Sequence, residues 1–397
     1  MWLIRCHDVF RVAPQSSRRK RHRINARPRN IRARLPIVTA ISINPALQRI
    51  GWREADAQLG ADVLARGEHL ARVVEQHRSG YRVDNGATVH PVQSPAAMIR
   101  SGVDPMSRPA VGDWVALIDG KPPMISRLLP RRSALVRAAA GERHQKQIIA
   151  ANVDVVFVVC GLDDDYNPRR IERYLLLVDG SGALPVIVLT KADKCADADA
   201  RRLEIQALAP GAVVLALNAK SPDTALLLEP WLRTGSTAVL VGSSGAGKST
   251  LTNTLLGIDK QKTKEVRGHD SRGRHTTTHR ALIALPSGGC LIDTPGMREL
   301  KMTGDENLDA GQFDDVTELA GHCRFRDCRH AAEPGCSVRA ALESGTLDAQ
   351  RWASYVKLRG ELGGARVSVE EQRRRKAGDK SATRAFGKRL TDKYGSR

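Results

Sequence analysis

The stretch GSSGAGKST, residues 242–250, has the residue types of a phosphate-binding loop. It matches the pattern G-x-x-x-x-G-K-[ST], in which glycines let backbone N–H groups wrap a phosphate and the next helix points its N-terminus at the same anion. Lys248 is expected to reach the β- and γ-phosphates, and Ser249 to ligate Mg²⁺. The predicted phosphate contacts are Gly242, Ser243, Ser244, Gly245, Ala246, Gly247, Lys248, Ser249 and Thr250.

A second motif, TKAD at residues 190–193, indicates which base is bound. The Asp193 carboxylate can accept two hydrogen bonds from guanine, whereas adenine would leave it unsatisfied at a cost of roughly 2–3 kcal/mol. Lys191 can lay its aliphatic stem along the base. Alone, TKAD is also compatible with a polar loop that closes a strand; together with the phosphate loop it favours guanine. The predicted base contacts are Thr190, Lys191, Ala192 and Asp193, and LNAK at 217–220 is a further candidate loop.

Two later segments add the parts that respond to a γ-phosphate. In DTPG, residues 293–296, Asp293 is expected to hold Mg²⁺ through water and the Gly296 N–H to sense the γ-phosphate. In GRHTTTH, residues 273–279, Thr277 is predicted to complete the Mg²⁺ shell when GTP is bound. A segment that is ordered by the γ-phosphate and released on hydrolysis is a switch.

The residue that follows DTPG is Met297, where common GTPases use a Gln to orient the attacking water. Slow intrinsic hydrolysis is therefore expected. His275 is the local candidate for a catalytic residue that orients water, and a His that only packs or contacts RNA is an equal alternative. This substitution also keeps open a GTP-gated RNA-binding module with negligible catalysis.

These motifs stand in a rotated order, because the base-reading loop precedes the phosphate loop, the switch and DTPG. A closed sheet whose original termini lie close together can be permuted in this way. The order predicts a circularly permuted P-loop GTPase domain. It also leads DTPG directly into residues 301–340, so movement at Gly296 is expected to pull on the C-terminal domain.

A cysteine-rich segment, CRFRDCRHAAEPGC, predicts a metal site. Three thiolates and one imidazole make a complete tetrahedral set for one structural Zn²⁺. The predicted ligands are Cys323, Cys328, His330 and Cys336, with Arg324, Phe325, Arg326 and Arg329 between them, a composition that suits RNA. The alternative is a set of reduced thiols without metal. The remaining cysteines are scattered, so they predict no disulfide framework and a reducing, cytosolic setting.

The elements that must position these motifs follow from hydrophobic patterning. Nearly continuous apolar runs at 153–160, 184–189, 212–217 and 237–241 predict a parallel sheet buried on both faces. Short alternating runs within 66–135 predict a β-barrel of the oligonucleotide-binding (OB) type, with a generic β-domain as an equal alternative. The fold class is thus multidomain α/β. The predicted segments are a basic, disordered extension at 1–55, an OB-type RNA-binding barrel at 60–135, the permuted GTPase domain at 136–300, a zinc-binding helical domain at 301–365 and a basic tail at 366–397.

The formal net charge of +20 over 397 residues points to a polyanionic partner, with nucleic acid as the first candidate and a solvated basic face as the alternative. Residues 18–34 hold nine Lys or Arg and no acid. That block is compatible with RNA contact, an organellar transit segment or an upstream start. The sequence has no apolar run of about 18 residues, so no membrane span is predicted. The N-terminus lacks the apolar core of a secretory signal.

The ordered motifs TKAD, GSSGAGKST, GRHTTT and DTPG, followed by C-x4-C-x-H-x5-C, resemble those of the ribosome small-subunit-dependent GTPase A (RsgA) family, over roughly residues 60–360. RRSALVRAAAGERHQKQIIAANVD, residues 131–154, resembles the family's join between barrel and GTPase domain. The resemblance implies an OB barrel, a permuted GTPase domain, a zinc domain and His275 as catalytic switch residue. It further implies GTP/GDP with Mg²⁺, one structural Zn²⁺, and binding to the small ribosomal subunit and its rRNA during late maturation, with hydrolysis stimulated by the subunit. We expect a cytoplasmic monomer without membrane association. An ATP-using nucleic-acid enzyme is the third alternative, against which Asp193 argues.

Overall fold

The computed structural model describes residues 44–77, 80–100, 103–138, 146–258, 280–293, 302–306, 308, 312–367, 370 and 374. These residues all belong to one compact unit, Ser42–Arg397. The predicted site residues His275, Thr277 and Gly296 lie outside the described residues.

The elements are numbered in chain order. The strands are β1 (His69–His77), β2 (Gly80–Asp84), β3 (Val89–Val92), β4 (Trp114–Ile118), β5 (Met124–Leu128), β6 (Ala134–Ala138), β7 (Lys146–Ala151), β8 (Val155–Gly161), β9 (Leu184–Thr190), β10 (Val213–Ala216), β11 (Thr237–Val241), β12 (Arg280–Ala284) and β13 (Cys290–Asp293). The helices are α1 (Pro45–Gln48), α2 (Ala57–Ala65), α3 (Ala96–Ile99), α4 (Pro168–Val178), α5 (Ala198–Leu208), α6 (Asp223–Leu228), α7 (Lys248–Leu255), α8 (Asp314–Gly321), α9 (Ser337–Glu343) and α10 (349–367).

A five-stranded parallel sheet forms the centre of the molecule, in the order β10-β9-β8-β11-β13. The four apolar runs become β8, β9, β10 and β11, as predicted. All seven residues of β8 and all five of β11 are buried, because helices cover both faces of a parallel sheet and β-branched side chains pack well there. Strand β12 extends the sheet antiparallel to β13.

The order of the strands in the sheet agrees with the rotated order of the motifs along the chain. Strands β8, β9 and β10, which come first along the chain, form one side of the sheet, and β11 returns to the centre between β8 and β13. The phosphate loop follows this central strand. The carboxyl ends of β9, β11 and β13 therefore meet at one edge, where ligands bind in open α/β sheets.

The antiparallel strands β1 to β5 have a hydrophobic core of their own. Strand β1 pairs with β2 and β4, β2 pairs with β3, and β4 pairs with β5. A parallel bridge between Gln93 and Met124 brings the end of β3 back to β5. The enclosed side chains are Ala71, Val73, Val83, Val92, Val115, Leu117 and Ile125.

The two sets of strands are continuous, which the sequence analysis did not anticipate. Strand β1 pairs antiparallel with β12, with Gln76 opposite Arg280, so that eleven strands form one sheet. At this junction Arg72 is fully buried and donates to the carbonyl oxygens of Ile50 (2.5 Å) and Gly112 (3.1 Å). It also donates to Thr237 Oγ1, at the start of β11 (2.9 Å). One side chain thus ties β1 to the strand that leads into the phosphate loop.

Helix α10 packs against α4 and α8 through an ion cluster in which Arg351 and Glu172 are buried. Arg351 on α10 is paired with Glu172 on α4 and, at 3.0 Å, with Asp315 on α8. Ser354 donates a further hydrogen bond of 2.8 Å to Glu172. The Arg351 guanidinium lies over the Phe313 ring, 4.4 Å from its centroid. Helices α4, α8 and α10 are therefore joined by charge and packing together.

Among the described residues, the helices are all too short or too polar to cross a membrane.

Candidate nucleotide site and metal centre

The phosphate loop links β11 to α7 through backbone conformations that require glycine. Gly242, Gly245 and Gly247 have φ of 150°, 87° and 98°, values that other residues rarely adopt. A Cβ on Gly242 would lie 2.2 Å from the Val159 carbonyl oxygen. The loop can therefore pass close to β8 and present its N–H groups at the N-terminus of α7.

Lys248 is the first residue of α7 and reaches back across the loop. Its Nζ donates to the carbonyl oxygens of Gly242 at 2.8 Å and Ser243 at 2.5 Å. The ammonium thus lies in the concavity where the pattern predicts the β- and γ-phosphates. Ser249 follows at the start of the same helix, in the position predicted for a Mg²⁺ ligand.

The base-reading motif is physically joined to the phosphate loop. Thr190, the last residue of β9, is fully buried and donates a 2.6 Å hydrogen bond to the Ala246 carbonyl oxygen. A Cβ on Gly247 would come within 3.0 Å of Thr190 Oγ1. TKAD and GSSGAGKST, which lie about fifty residues apart in the chain, therefore form one site.

The loop after β9 holds the remaining residues that are predicted to contact the base. Lys191 adopts the left-handed conformation, with φ of 62°, and Asp193 is exposed. The Ala192 N–H donates to the Leu217 carbonyl oxygen at 3.2 Å, which brings LNAK beside TKAD. Thr254 on α7 donates to the Ala219 carbonyl oxygen at 2.6 Å and holds LNAK from the other side. The structure thus brings all three predicted loops together.

Asp293 ends β13, the strand beside β11, and is partly buried at the same edge of the sheet. This is where a carboxylate can reach a Mg²⁺ ion on the phosphates. The rest of the switch set, His275, Thr277 and Gly296, lies outside the described residues.

Sequence reasoning missed an acidic loop beside the phosphate loop. Asp165 Oδ1 accepts a 2.5 Å hydrogen bond from Ser243 Oγ and pairs with Arg170. Asp163 Oδ2 lies 2.5 Å from Lys191 Nζ, and this hydrogen bond lowers the pKa of Asp163. The available signal was the run of three aspartates directly after a buried strand, at the edge where the other motifs lie.

The four predicted zinc ligands converge in the segment between α8 and α9. The ligand atoms of Cys323, Cys328, His330 and Cys336 all lie within 4.8 Å of one another. His330 Nδ1 is 3.5 Å from the sulfur atoms of both Cys323 and Cys336. Burial lowers the pKa of His330 and so favours the neutral imidazole that binds metals. Three sulfurs and one nitrogen in this arrangement are compatible with a closed tetrahedral zinc site.

Glu333 shapes the loop that carries two of these ligands, and this role was not predicted. Its carboxylate accepts hydrogen bonds from the backbone N–H groups of Arg329 (3.0 Å), Ala331 (2.9 Å) and Ala332 (3.1 Å). Hydrogen bonds from its own backbone N–H and from these three groups lower the pKa of Glu333 to about 2. The Glu333 carboxylate therefore closes this loop.

Comparisons with known proteins agree with this arrangement. The family model described as RsgA GTPase matches residues 128–303. A protein of Xanthomonas axonopodis pv. citri named small ribosomal subunit biogenesis GTPase RsgA is 57% identical over 328 residues, which cover 81% of this chain and 90% of that protein. A protein of the same name from Xanthomonas campestris pv. campestris is 57% identical over 326 residues, covering 80% and 89%.

Two solved structures share the fold. The crystal structure of YloQ, a circularly permuted GTPase, superposes with a TM-score of 0.51 at 25% identity and covers 75% of this chain and 96% of its own. YjeQ from Thermotoga maritima superposes with a TM-score of 0.53 at 25% identity, covering 75% and 99%. The permuted motif order, the sheet and the extent of identity agree, and the chain belongs to the RsgA family of GTPases, enzymes that hydrolyse GTP.

Proposed function

We propose that this protein is a GTPase that binds the small ribosomal subunit and acts in its late assembly, with hydrolysis stimulated by the subunit. The observation that carries the GTP-binding part of the proposal is the single edge at which TKAD, LNAK, the phosphate loop and Asp293 meet. The relatives that are 57% identical over most of the chain are named for biogenesis of that subunit. The net charge of +20 suits a partner made largely of rRNA.

The proposed roles combine the geometry of this edge with the sequence motifs. The phosphate loop from Gly242 to Thr250 binds the phosphates, with Lys248 as the cation that contacts them. Asp193 reads the guanine, and Ser249 and Asp293 hold Mg²⁺ together with Thr277. His275 orients the attacking water, and Gly296 senses the γ-phosphate. The support for Lys248 is its place inside the loop, 2.8 Å from the Gly242 carbonyl oxygen.

We further propose that strands β1 to β5 are an OB-type barrel that contacts rRNA. The support is their pairing, in which β1 contacts both β2 and β4 and the end of β3 returns in parallel to β5. The proposed domains are the barrel at 60–135, the GTPase domain at 136–300 and a zinc domain at 301–365, flanked by basic extensions. The zinc domain holds one structural Zn²⁺ on Cys323, Cys328, His330 and Cys336. We place the protein in the cytoplasm as a monomer.

The test is GTP turnover by the purified protein with and without mature small ribosomal subunits, with large subunits as the control. A rise specific to the small subunit is expected, because docking supplies the group or the alignment that orients water in the absence of a Gln at position 297.

A rate that stays slow with both subunits, while GTP still promotes binding to the small one, would contradict stimulated hydrolysis. That result would favour the GTP-gated RNA-binding module. Equal stimulation by large subunits would refute the assignment of the partner.

A further inference from the structure

The acidic loop, defined here as residues 163–165, joins β8 to α4 and contacts both nucleotide-binding motifs. Its three residues are all aspartates, and two of them make different contacts. Asp165 contacts the phosphate loop and Asp163 contacts the base-reading loop. Asp164 between them is exposed and makes no hydrogen bond or ion pair within the described part of the chain. The loop therefore offers its own internal control.

Asp165 has each carboxylate oxygen occupied. Oδ1 accepts from Ser243 Oγ at 2.5 Å and from the Arg170 guanidinium, while Oδ2 accepts from the Gly161 N–H at 3.1 Å. Arg170 compensates the negative charge, so the carboxylate can stand beside a phosphate-binding loop without net repulsion of an anion. The second residue of the phosphate loop is thus anchored to the end of β8.

Asp163 acts on the base-reading loop in the same way. Its Oδ2 lies 2.5 Å from Lys191 Nζ, and its Oδ1 accepts from the Asp165 N–H at 3.3 Å. Lys191 also has a left-handed backbone conformation, with φ of 62°, which an L-residue adopts only at an energetic cost. The ion pair with Asp163 holds the Lys191 side chain in one direction.

We propose that Asp163 and Asp165 are positioning residues of the nucleotide site, which hold Lys191 and Ser243 in the geometry that accepts a guanine nucleotide. The inference rests on the proposed GTP site. Neither aspartate needs to touch the nucleotide. Each aspartate restricts the side chain of its partner in the free protein, so less conformational entropy is lost when a nucleotide binds. Such preorganisation raises affinity without a new contact.

Lys191 and Ser243 are needed equally for binding GTP and GDP, since Lys191 belongs to the base loop and Ser243 to the start of the phosphate loop. Loss of either aspartate should therefore weaken both nucleotides by the same factor. Uniform binding of this kind changes KM and leaves kcat unaltered. This pattern separates a positioning role from a role in the chemical step.

The experiment measures the Kd of the full-length protein for fluorescent GDP and GTP analogues, in wild type and in Asp163→Asn, Asp165→Asn and Asp164→Asn. We expect about a 3- to 10-fold rise in Kd for the first two variants, because each loses a charge-assisted hydrogen bond that is partly solvent-exposed. Asp164→Asn makes the same change of charge in the same loop and should bind like wild type. Steady-state turnover should show the rise in KM at constant kcat.

Three further variants exclude a merely structural effect. Asp163→Glu restores the carboxylate and should recover most of the affinity that Asp163→Asn loses. Ser243→Ala and Asp165→Asn remove the two ends of one hydrogen bond. The double variant should therefore bind nucleotide with the same affinity as the single variant that binds less tightly. Thermal melting without nucleotide should be the same for the Asp163 variants and wild type.

Each result decides the question. If the wild type binds neither nucleotide, the proposed function and this inference fail together. If the wild type binds but Asp163→Asn and Asp165→Asn match Asp164→Asn, only the inference fails. Additive losses in the double variant would overturn the role of Asp165 through Ser243.

Discussion

At the scale of single residues, Asp193 is exposed and makes no hydrogen bond or ion pair within the described ranges. Its carboxylate is therefore available for the two donors of a guanine edge. Asp193→Asn replaces one acceptor by a donor, which should weaken GTP by about 10- to 100-fold and strengthen xanthosine triphosphate, whose C2 carbonyl needs a donor. Competition between the two nucleotides for a fluorescent GDP analogue measures this, and Asp164→Asn is the matched control. An unchanged preference would refute the base-reading role.

Lys248 occupies the phosphate concavity by donating to the carbonyl oxygens of Gly242 and Ser243. These contacts can be exchanged for phosphate oxygens when a nucleotide binds. Lys248→Ala should raise the Kd for GDP and GTP at least about tenfold, because it removes a charge-assisted hydrogen bond to phosphate. Lys357→Ala, which removes an exposed cation from α10, is the control and should bind normally. Unaltered affinity or turnover in Lys248→Ala would rule out this site.

At the scale of elements, the cysteine-rich segment is short, and its ligand atoms already lie within 4.8 Å of one another. Metal binding is therefore expected to hold α8 and α9 together. Cys328→Ser should reduce zinc from about one atom per chain to well below one, and should lower the melting temperature. Elemental analysis of the purified protein measures the zinc content.

Cys195→Ser is the control for this change, because Cys195 lies outside the metal-ligand cluster and its only side-chain hydrogen bond among the described residues is with Asp197. It should keep the zinc content of wild type. Equal zinc in Cys328→Ser and Cys195→Ser would mean that Cys328 is not a ligand.

The contact between α4 and α10 depends on Arg351, whose side chain is 9% exposed, and on Glu172, which is 3% exposed. Arg351→Met leaves Glu172 buried with Arg169 and Ser354 as its remaining partners, and should cost about 3 kcal/mol of stability. Thermal melting of the full chain should therefore show a clear fall in Tm. Arg339→Met, which breaks an exposed pair with Glu343, should have almost no effect.

Adding Glu172→Gln to Arg351→Met should recover part of the loss, because the buried carboxylate that has lost Arg351 is then replaced by a neutral group. A double variant as unstable as the sum of the two single variants would show that Arg351 and Glu172 are not energetically coupled.

The elements that could be predicted from sequence are those with a local signal. Strand β11, the glycines of the loop after it and Lys248 lie in one continuous sequence pattern. The predicted zinc ligands fall within 14 residues. Asp165 and Ser243 are 78 positions apart and meet only because β8 lies beside β11. The burial of Arg72 could not be predicted from sequence either. Its guanidinium is buried because four separate chain segments supply oxygen atoms that accept its hydrogen bonds. Such contacts are set by tertiary packing, which periodicity does not report.

At the scale of the whole molecule, β1 and β12 join the antiparallel strands to the nucleotide sheet, and Arg72 fixes the junction to the start of β11. The strand that leads into the phosphate loop is thus linked by hydrogen bonds to the strands proposed to contact rRNA. Arg280 begins β12, and burial lowers its pKa to about 10, so it stays charged at neutral pH and can donate to the Ile148 carbonyl oxygen at 2.9 Å. Strand β12 therefore contacts both β1 and the hairpin of β6 and β7.

The formal net charge of +20 sets how strongly the protein should respond to salt. When cations of a protein bind phosphates, counterions are released, and the affinity falls steeply as salt rises. Binding to small ribosomal subunits should weaken at least about tenfold between 50 and 200 mM KCl, since even a few phosphate contacts give this slope. Removal of residues 1–41, which include the nine cations of 18–34, should reduce the slope while leaving GTP turnover without subunits unaltered. Co-sedimentation with subunits over a salt series measures both slopes. Equal slopes for the full and shortened chains would mean that the basic extension does not contact the subunit, and that the remaining cations alone carry the electrostatic part of binding.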